Sequence, residues 1–242
     1  MLLIVASAWD RVAQALATKW ANHGVRLLTP LDLSRKGWRW RLGATTGNSM
    51  MINGETLDPV AIRGVLTRLP SVYSREIPHI IPGDREYVAA EMQAFLFAWL
   101  SELSCPVLNR PRDFGLSGPP WRREQWIHLA DQLGLSVDPV RLEAALGSEY
   151  RSALPNYPEA AAITIVGKEH TGALLDPVLI SHAYRLAAAA ETDLLTVFFC
   201  SARADAKFIG TSLLPNLEYP GIADLILQYF GTRGSLTEGT KP

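Results

Sequence analysis

The chain begins with alternating apolar and amphipathic stretches that are typical of a parallel α/β sheet. Residues 2–6 form a compact apolar run, and residues 10–21 show the spacing of an amphipathic helix. Gly24 then turns the chain into a second apolar run, VRLLTP. A strand, a helix and a second strand in this order predict parallel pairing, because the returning strand needs a crossover connection.

The next segments predict a hairpin, a strand and one long helix. WRWRL alternates apolar with cationic residues and a turn-rich link joins it to MMING, so 38–53 is predicted to be a hairpin. Residues 63–72 predict a strand. From Asp84, a candidate N-cap, to Leu103, apolar residues repeat at helical spacing, which indicates a helix packed on the core. CPVLNRP, at 105–111, predicts a short strand that closes this unit.

The Gly- and Pro-rich segment PRDFGLSGPP marks the predicted domain boundary. We expect an N-terminal parallel-sheet α/β domain over 1–112, a reduced α+β domain over 113–231, and a disordered tail over 232–242. A helix is predicted to end at Gly134, and residues 137–160 show little pattern. The remainder predicts strands in AAITIVG, LLTVFFC and KFIGTSLL and a closing helix in GIADLILQYF.

Composition and charge narrow the function classes. The 242 residues carry a net charge of −1, which argues against a general nucleic-acid binder but leaves room for a local basic patch. No apolar run approaches membrane-spanning length and no basic segment precedes the first one, so we expect a cytoplasmic protein that binds neither nucleic acid nor a membrane. Cys105 and Cys200 lie in apolar runs and are predicted to be buried, reduced thiols.

The last predicted strand lies in KFIGTSLLPNLEY, residues 207–219, and raises a question of chemistry. Carboxyl ends of strands in α/β proteins commonly hold ligands and metals. This strand end carries Gly210, Thr211 and Ser212, and no carboxylate. The pattern leaves open whether the strand belongs to an enzyme.

Four short motifs follow one another in the first part of the chain. RLP holds Arg68, the next helix holds Glu91, NRP holds Asn109 and Pro111, and ADQLGL ends a helix. This order resembles the entry half of the ATP-grasp ligases, and most closely the peptide-modifying branch that includes the microviridin-type macrocyclases. AAITIVG and FIGTSLLPNLEY are similar to later strands of that family. The resemblance implies a pre-ATP-grasp-like domain followed by an ATP-grasp-like domain, a peptide substrate, and ATP and Mg²⁺ as cofactors.

Three departures from the family pattern argue against catalysis. Only residues 136–162 stand where the family has a nucleotide-clamping subdomain. The strand with the family's Glu and Asn metal ligands has Gly210 and Ser212 at the matching places, and the preceding strand has Val197 and Phe198 where an Asp is expected. Forming an acyl-phosphate from ATP requires Mg²⁺ held by hard oxygen ligands beside the phosphates, which a glycine and a hydroxyl do not supply.

Cationic side chains are the main candidates for ligand binding. The chain has eighteen arginines and only five lysines. Arginines that lie at or near the ends of predicted elements are Arg63, Arg68, Arg75, Arg110, Arg112, Arg122 and Arg123. The predicted ligand-binding residues are Arg68, Arg75, Asn109, Arg110 and Lys168. Arg68 and Arg110 on neighbouring strand ends would form a basic notch for a carboxylate or phosphate. Surface ion pairing is the alternative for the arginines, and an exposed turn is the alternative for Lys168.

Trp38 and Trp40 lie on one face of the predicted hairpin, opposite Arg39 and Arg41. Two hypotheses remain open for this pair. The indoles pack beneath the helix of the same domain, or they mark a contact with another protein.

Two functions compete on these observations. The first is a degenerate, non-catalytic ATP-grasp-like protein, without cofactor, catalytic or metal-binding residues, that binds a peptide, a small ligand or a partner ligase; a homo-oligomer is possible. The alternative is an active ATP-dependent carboxylate–amine ligase that forms an acyl-phosphate and recruits ligands such as Asp193, Asp205 or Glu218. The missing acids and the missing subdomain favour the first.

Overall fold

Two four-stranded sheets organise the chain. The computed structural model describes residues 1–41, 43, 44, 46–138, 157 and 159–237, with the backbone alone for 232–237. The first sheet has the order β2-β1-β5-β6 and is parallel throughout. Its strands are β1 (Leu2–Val5), β2 (Val25–Leu28), β5 (Gly64–Thr67) and β6 (Val107–Leu108). This sheet confirms the predicted parallel α/β arrangement.

Helices cover both faces of the first sheet, and they are α1 (Arg11–Lys19), α2 (Pro30–Leu33) and α3 (Arg85–Glu102). Asp10 caps α1, since its carboxylate accepts a hydrogen bond of 2.9 Å from the Ala13 N–H. The predicted N-cap Asp84 precedes α3, and the predicted apolar stripe of α3 places Leu96, Trp99 and Leu100 in the core. The bounds of α3 follow the sequence prediction to within one residue, whereas α1 ends two residues before the predicted end at residue 21.

The hairpin lies later in the chain than predicted. β3 (Met50–Ile52) pairs with β4 (Glu55–Leu57), and the described residues of 38–49 form an isolated antiparallel bridge between Arg39 and Ser49 in place of a strand. The sequence Asn53–Gly54 explains the shift, because both residues have positive φ, 51° and 81°, as a tight two-residue hairpin turn requires. The prediction of a hairpin centred on 43–49 was therefore wrong.

The indoles of the predicted hairpin pack inside the domain. Trp38 contacts Phe95 and Trp99 edge-to-face, with ring centroids 5.4 and 5.6 Å apart, and Trp40 contacts Trp99 at 6.4 Å. Both partners lie on α3, so the structure supports packing beneath the helix of the same domain.

The second sheet is antiparallel and has the order β10-β9-β7-β8. Its strands are β7 (Ala161–Val166), β8 (Glu169–Gly172), β9 (Leu194–Phe199) and β10 (Phe208–Ser212). Its helices are α4 (Arg123–Gln132), α5 (Pro177–Ala189) and α6 (Ile222–Thr237). Side chains of α4, α5 and one face of the sheet share a single apolar cluster.

α6 joins the two sheets and continues beyond its predicted end. Its Ile226 and Phe230 share a core with Ile4 of β1 and Leu194 of β9. Gly64 permits this contact, because a Cβ there would lie 2.5 Å from the Phe230 ring. The predicted disordered tail began at residue 232, but the helix runs to Thr237. Gly231 and Gly234 lie inside this helix, which tolerates a glycine at a cost of about 1 kcal/mol. Residues 238–242 lie outside the described part of the chain.

The elements of the two sheets fall on either side of residue 112, and the division into domains at that point stays a prediction. Most of the segment expected to show little pattern, 139–156 and 158, lies outside the described residues. No helix among the described residues has the length and apolar character needed to span a membrane.

Candidate functional site

One face of the second sheet remains open. Alternate residues of β7 and β9, such as Ile163 and Val197, point into the core beneath α4 and α5. The opposite face carries two cross-strand rows. The outer row is Ala162, Phe198 and Gly210, and the inner row is Thr164, Thr196 and Ser212. The sequence places half-buried apolar residues of the outer row beside the small polar residues of the inner row on this face.

Hydroxyl groups in the inner row already have partners. Thr164 and Thr196 share a hydrogen bond of 2.8 Å between their buried Oγ1 atoms. Ser212 Oγ donates to the Leu214 carbonyl at 3.0 Å and accepts from the Leu214 N–H at 3.2 Å. Ligand atoms that approached this row would meet oxygens that already take part in internal hydrogen bonds.

Two cavities adjoin this face. The first, which we call the sheet cleft, has a volume of about 690 Å³ and lies over the two rows and the chain that follows β10. The second, the α4 cavity, also measures about 690 Å³ and lies between the start of α4 and β10. The residues that line both cavities are Ala160, Phe198, Ser212 and Leu214. The two cavities are therefore neighbours that share part of their walls.

The α4 cavity is apolar, with two unsatisfied polar atoms. Trp121, Trp126 and Leu213 are among its apolar lining residues. Within the described residues, Thr211 Oγ1 and Arg123 Nε are buried and have no hydrogen-bond partner. Buried polar atoms in folded proteins nearly always have a partner, so an orphaned pair beside one cavity calls for an explanation.

A fixed ion pair borders the α4 cavity. Tyr157, which lines the cavity, donates its hydroxyl to Asp138 Oδ2, and Lys207 Nζ donates to Asp138 Oδ1, both at 2.5 Å. The hydrogen bond from Lys207, followed by that from Tyr157, lowers the pKa of Asp138, with a smaller contribution from Arg123. The same bond to Asp138 raises the pKa of Tyr157. Asp138 is thus ionised at neutral pH and largely neutralised by Lys207.

A third cavity, the β1–β5 pocket, lies where the first sheet changes direction. The strand β2, which follows β1 in the chain, pairs with one edge of β1, and β5 pairs with the other edge. The strand order therefore reverses between β1 and β5, and α/β proteins commonly bind ligands at the carboxyl ends of the strands at such a switch point. The pocket measures about 540 Å³. Its lining residues are Ser7, Trp9, Arg68, Leu69, Pro70, Tyr73, Arg75 and Glu76.

Arg68 and Arg75 differ in how they are engaged in this pocket. Arg68 forms an ion pair of 2.9 Å with Asp10 and donates to the Pro215 carbonyl at 3.1 Å. The Arg75 guanidinium lies over the Tyr73 ring, 4.8 Å from its centroid. Pro70 lines both this pocket and the α4 cavity. The predicted pair Arg68 and Arg75 therefore lies together in a pocket that adjoins the α4 cavity at Pro70.

Asn109 holds the two sheets together. Its Nδ2 donates to the carbonyl of Leu194 at 2.8 Å and to that of Ser117 at 3.4 Å. Its Oδ1 accepts from the N–H groups of Asp193 and Leu194 at 3.0 and 2.8 Å. Since the amide is buried and these bonds use both of its polar atoms, the structure gives Asn109 a structural role.

Arg110 binds other partners than Arg68 does. Its guanidinium donates to main-chain carbonyls at the end of α3 and just after it, at 2.9 to 3.3 Å. Arg110 thus satisfies the unpaired carbonyl groups at a helix C-terminus. β5 and β6 are neighbouring strands, as the notch hypothesis requires, but the two arginine side chains are bound to different partners.

Lys168 lies in the exposed turn between β7 and β8. The sheet cleft is at the opposite end of β7, around Ala161 and Ala162. The main-chain carbonyl of Lys168 accepts a hydrogen bond from the Tyr184 hydroxyl at 2.9 Å. This position agrees with the exposed-turn alternative.

The carboxylates considered for a recruited metal site are dispersed. Asp193 accepts a hydrogen bond of 2.6 Å from the Tyr229 hydroxyl of α6, and Asp205 forms an exposed ion pair with Arg203. Glu218 follows β10 in an exposed turn. Within the described ranges, no three His, Cys, Asp or Glu side chains are grouped so that they could hold a metal ion.

Sequence reasoning did not select Arg123 and Thr211 as site residues. Arg123 was noted only as one arginine among several at element ends, and Thr211 only as a strand-end residue. The signal that could identify Arg123 is its position at the first turn of a helix, two residues after Trp121. The state of the Thr211 hydroxyl depends on distant residues, so no local pattern could reveal it.

Comparison with known proteins identifies solved structures that have a similar fold. No protein-family model matches the chain, and no curated protein sequence matches it. Macrocyclase MdnC from Microcystis aeruginosa, in complex with precursor peptide MdnA, matches with a TM-score of 0.64 at 11% identity, covering 96% of this chain and 100% of that chain. An ATP-grasp ligase associated with RiPPs from Chryseobacterium gregarium, in complex with ADP and a leader and core peptide, matches with a TM-score of 0.64 at 11% identity, covering 96% of each chain.

The ATP-grasp ligase PsnB, in complex with a phosphomimetic precursor variant, Mg and ADP, also matches, with a TM-score of 0.61 at 13% identity, covering 96% of this chain and 98% of that chain. The resemblance to the peptide-modifying ATP-grasp ligases is thereby confirmed for the fold. This chain has the mixed α/β architecture of these proteins.

Proposed function

We propose that this protein is a non-catalytic relative of the ATP-grasp ligases that binds a peptide in the groove formed by the sheet cleft, the α4 cavity and the β1–β5 pocket. The observation that carries the proposal is the outer row of the second sheet. Phe198 stands there between Ala162 and Gly210 and lines both the sheet cleft and the α4 cavity.

The chemistry of this row opposes a nucleotide–metal complex. Mg²⁺ between phosphates needs anionic or carbonyl oxygen ligands in near-octahedral geometry. The row offers a phenyl ring and two positions without polar side-chain atoms, and the inner row offers hydroxyls engaged in internal hydrogen bonds. An apolar surface of this kind suits a side chain of a bound peptide better than a triphosphate.

The length of the groove supports a peptide occupant. The three cavities adjoin through shared residues, with Pro70 between the α4 cavity and the β1–β5 pocket and Phe198 between the α4 cavity and the sheet cleft. An extended chain rises about 3.3 Å per residue, so such a groove could hold several consecutive residues. MdnC and PsnB were both solved with precursor peptides, which supports the same class of occupant here.

The predicted ligand-binding pair fits at one end of this groove. We propose that Arg75, stacked on Tyr73, receives an anionic group of the peptide in the β1–β5 pocket, with Arg68 as a neighbouring positive charge. Asn109, Arg110 and Lys168 have no such role in the proposal, because the first two are bound to the main chain and the third is at the far end of β7.

The loss of catalysis is tested by titrating the protein with ATP and Mg²⁺ in a calorimeter. We expect no saturable heat at millimolar nucleotide. A saturable, Mg²⁺-dependent heat would contradict the proposal and would favour the active ligase, the function suggested by the Mg and ADP in the PsnB complex.

The peptide groove is tested by selecting binders from a random heptapeptide library on the immobilised protein. Ala160 is exposed and lines both the sheet cleft and the α4 cavity, so Ala160→Trp should fill the groove and abolish binding of the selected peptides. The control is Ala21→Trp, at an exposed alanine outside the lining of these cavities, which should leave binding unchanged. Equal binding to both variants would show that the peptides bind elsewhere.

A further inference from the structure

We propose that the α4 cavity is a specific site for a carboxylate attached to an apolar group, with Arg123 and Thr211 as the residues that bind the carboxylate. This inference rests on the proposed function in one respect, since the cavity is part of the proposed peptide groove. It adds the chemical class of ligand that this part of the groove selects.

The first argument concerns the unsatisfied polar atoms. Leaving a buried donor or acceptor without a partner is costly, and native structures contain few such atoms. Two of them, Thr211 Oγ1 and Arg123 Nε, belong to residues that line the same cavity, and neither has a hydrogen-bond partner among the described residues. A bound anion that accepted hydrogen bonds from both groups would remove both deficits at once.

The second argument concerns the other polar residues of the cavity. Ser212 Oγ is used by the main chain of Leu214, and the Tyr157 hydroxyl is used by Asp138. The negative charge of Asp138 lies within the electrostatic range of Arg123, but Lys207 is bonded to the same carboxylate. Arg123 therefore supplies a positive charge that this ion pair does not cancel.

The third argument concerns the start of α4. The helix begins at Arg123, and Pro120, Trp121 and Arg123 around its first turn line the cavity. The first N–H groups of a helix have no partner inside the helix and carry partial positive charge. The helix field thus adds to the guanidinium charge and favours an anion over a neutral group.

The fourth argument concerns the size and lining of the cavity. About 690 Å³ is within the range of sites for drug-sized ligands, and most of the lining is apolar. Trp121 and Trp126 form an edge-to-face pair with ring centroids 5.0 Å apart, next to Leu213. The apolar part of the ligand would pack on this wall, while its carboxylate points to Arg123 and Thr211.

The test compares ligands that differ only in charge. Binding of 3-phenylpropionate and of 3-phenylpropionamide is measured by calorimetry, together with N-acetyl-Leu-Phe as the acid and as the C-terminal amide. We expect the acids to bind at least about tenfold more tightly than their amides, which is the size expected of hydrogen bonds to a charged group. Tighter binding of the N-acetyl-Leu-Phe acid than of 3-phenylpropionate would identify a peptide C-terminus as the source of the carboxylate. Tighter binding of 3-phenylpropionate would identify a small carboxylic acid.

Matched variants locate the effect. Arg123→Gln should remove the preference for acids, whereas Arg122→Gln, at the adjacent exposed arginine, should keep it. Thr211→Val should weaken acid binding about threefold or more and leave amide binding unchanged. Equal affinity for acids and amides, no binding of either at millimolar concentration, or an equal loss in Arg122→Gln and Arg123→Gln would overturn the inference.

The acid–amide comparison on the unaltered protein stays decisive even if a variant fails to fold. Its outcome is also independent of the calorimetric titration with ATP and Mg²⁺. Nucleotide binding would overturn the non-catalytic function without affecting the carboxylate preference, and loss of the preference would leave the non-catalytic function in place.

Discussion

The ends of the first sheet and the region between α4 and β10 both present polar side chains next to strand ends, but they use them differently. At the end of the first sheet, Asn109 and Arg110 are bound to several main-chain groups each. Beside β10, Arg123 Nε and Thr211 Oγ1 have no partner among the described residues. Asn109 and Arg110 look more like binding residues, yet their side chains are already engaged by the main chain, whereas Arg123 Nε and Thr211 Oγ1 are available to a ligand.

The difference shows that availability, and not residue type, decides which polar groups can bind. An amide or guanidinium with all its bonds made stabilises the fold, and a ligand would have to break those bonds to use it. A buried group without a partner has already lost its water during folding, so a ligand that bonds to it gains more than it would from a solvated group.

The largest expected effect is the loss of stability when the Asn109 amide and its hydrogen bonds are removed. Asn109→Ala leaves main-chain groups of Ser117, Asp193 and Leu194 without the amide, in a buried position. We expect the free energy of unfolding to fall by about 3 kcal/mol or more. Urea unfolding measures it.

Asn216→Ala is the control for that variant. Asn216 is exposed and its side chain accepts only a turn hydrogen bond of 3.1 Å from the Glu218 N–H. The expected change is within about 0.5 kcal/mol. Similar losses for the two variants would contradict the structural role of Asn109.

A smaller effect on the free energy of unfolding is expected to differ in sign between two threonines of the same sheet. Thr196→Val removes a buried hydroxyl that is bonded to Thr164 and should lower the free energy of unfolding by about 1 kcal/mol or more. Thr211→Val replaces an unsatisfied hydroxyl with a methyl group and should raise it by up to about 1 kcal/mol. Denaturant unfolding of the ligand-free protein compares them, and a loss of stability in both would show that Thr211 is satisfied in solution.

The smallest expected effect depends on pH and concerns Cys105, whose carbonyl is bound by Arg110. Burial, as the main cause, raises the pKa of this thiol from 9.0 to about 11. The unfolded chain releases the thiol proton at lower pH than the folded protein, so stability present below pH 9 is lost as the pH rises towards 11.

Comparison with Cys105→Ala isolates the thiol. The difference in free energy of unfolding between the two proteins should shrink by about 1 kcal/mol between pH 8 and pH 10. Buffered urea unfolding at both values measures this change. A constant difference would mean that the thiol titrates equally in the folded and unfolded chains.

Elements set by local pattern could be predicted from the sequence. The apolar stripe that runs to Leu103 predicted α3, whose first residue follows Asp84, and the predicted start at Asp10 matches the cap of α1. The hairpin prediction failed because the alternation in WRWRL does not fix the pairing, whereas the turn residues Asn53 and Gly54 do. Period-2 alternation indicates two different faces, and it does not identify the strand's partner.

The candidate site was less predictable because hydrogen-bond partners lie far apart in sequence. Asn109 bonds to Leu194, and Arg68 bonds to Asp10 and Pro215. Such contacts decide whether a polar side chain is available to a ligand, and only the folded chain brings them together. The lack of carboxylates at Phe198 and Gly210 is evident from the sequence, because it depends on residue identity alone.

The most direct test of the central claim, that the open face of the second sheet holds no metal–nucleotide complex, is the electron paramagnetic resonance signal of free Mn²⁺, a substitute for Mg²⁺. Protein is titrated into Mn²⁺ with and without ADP. We predict that the free Mn²⁺ signal falls no further with ADP and protein together than with ADP alone. A saturable additional loss that requires both protein and ADP, at about one Mn²⁺ per chain, would contradict the account.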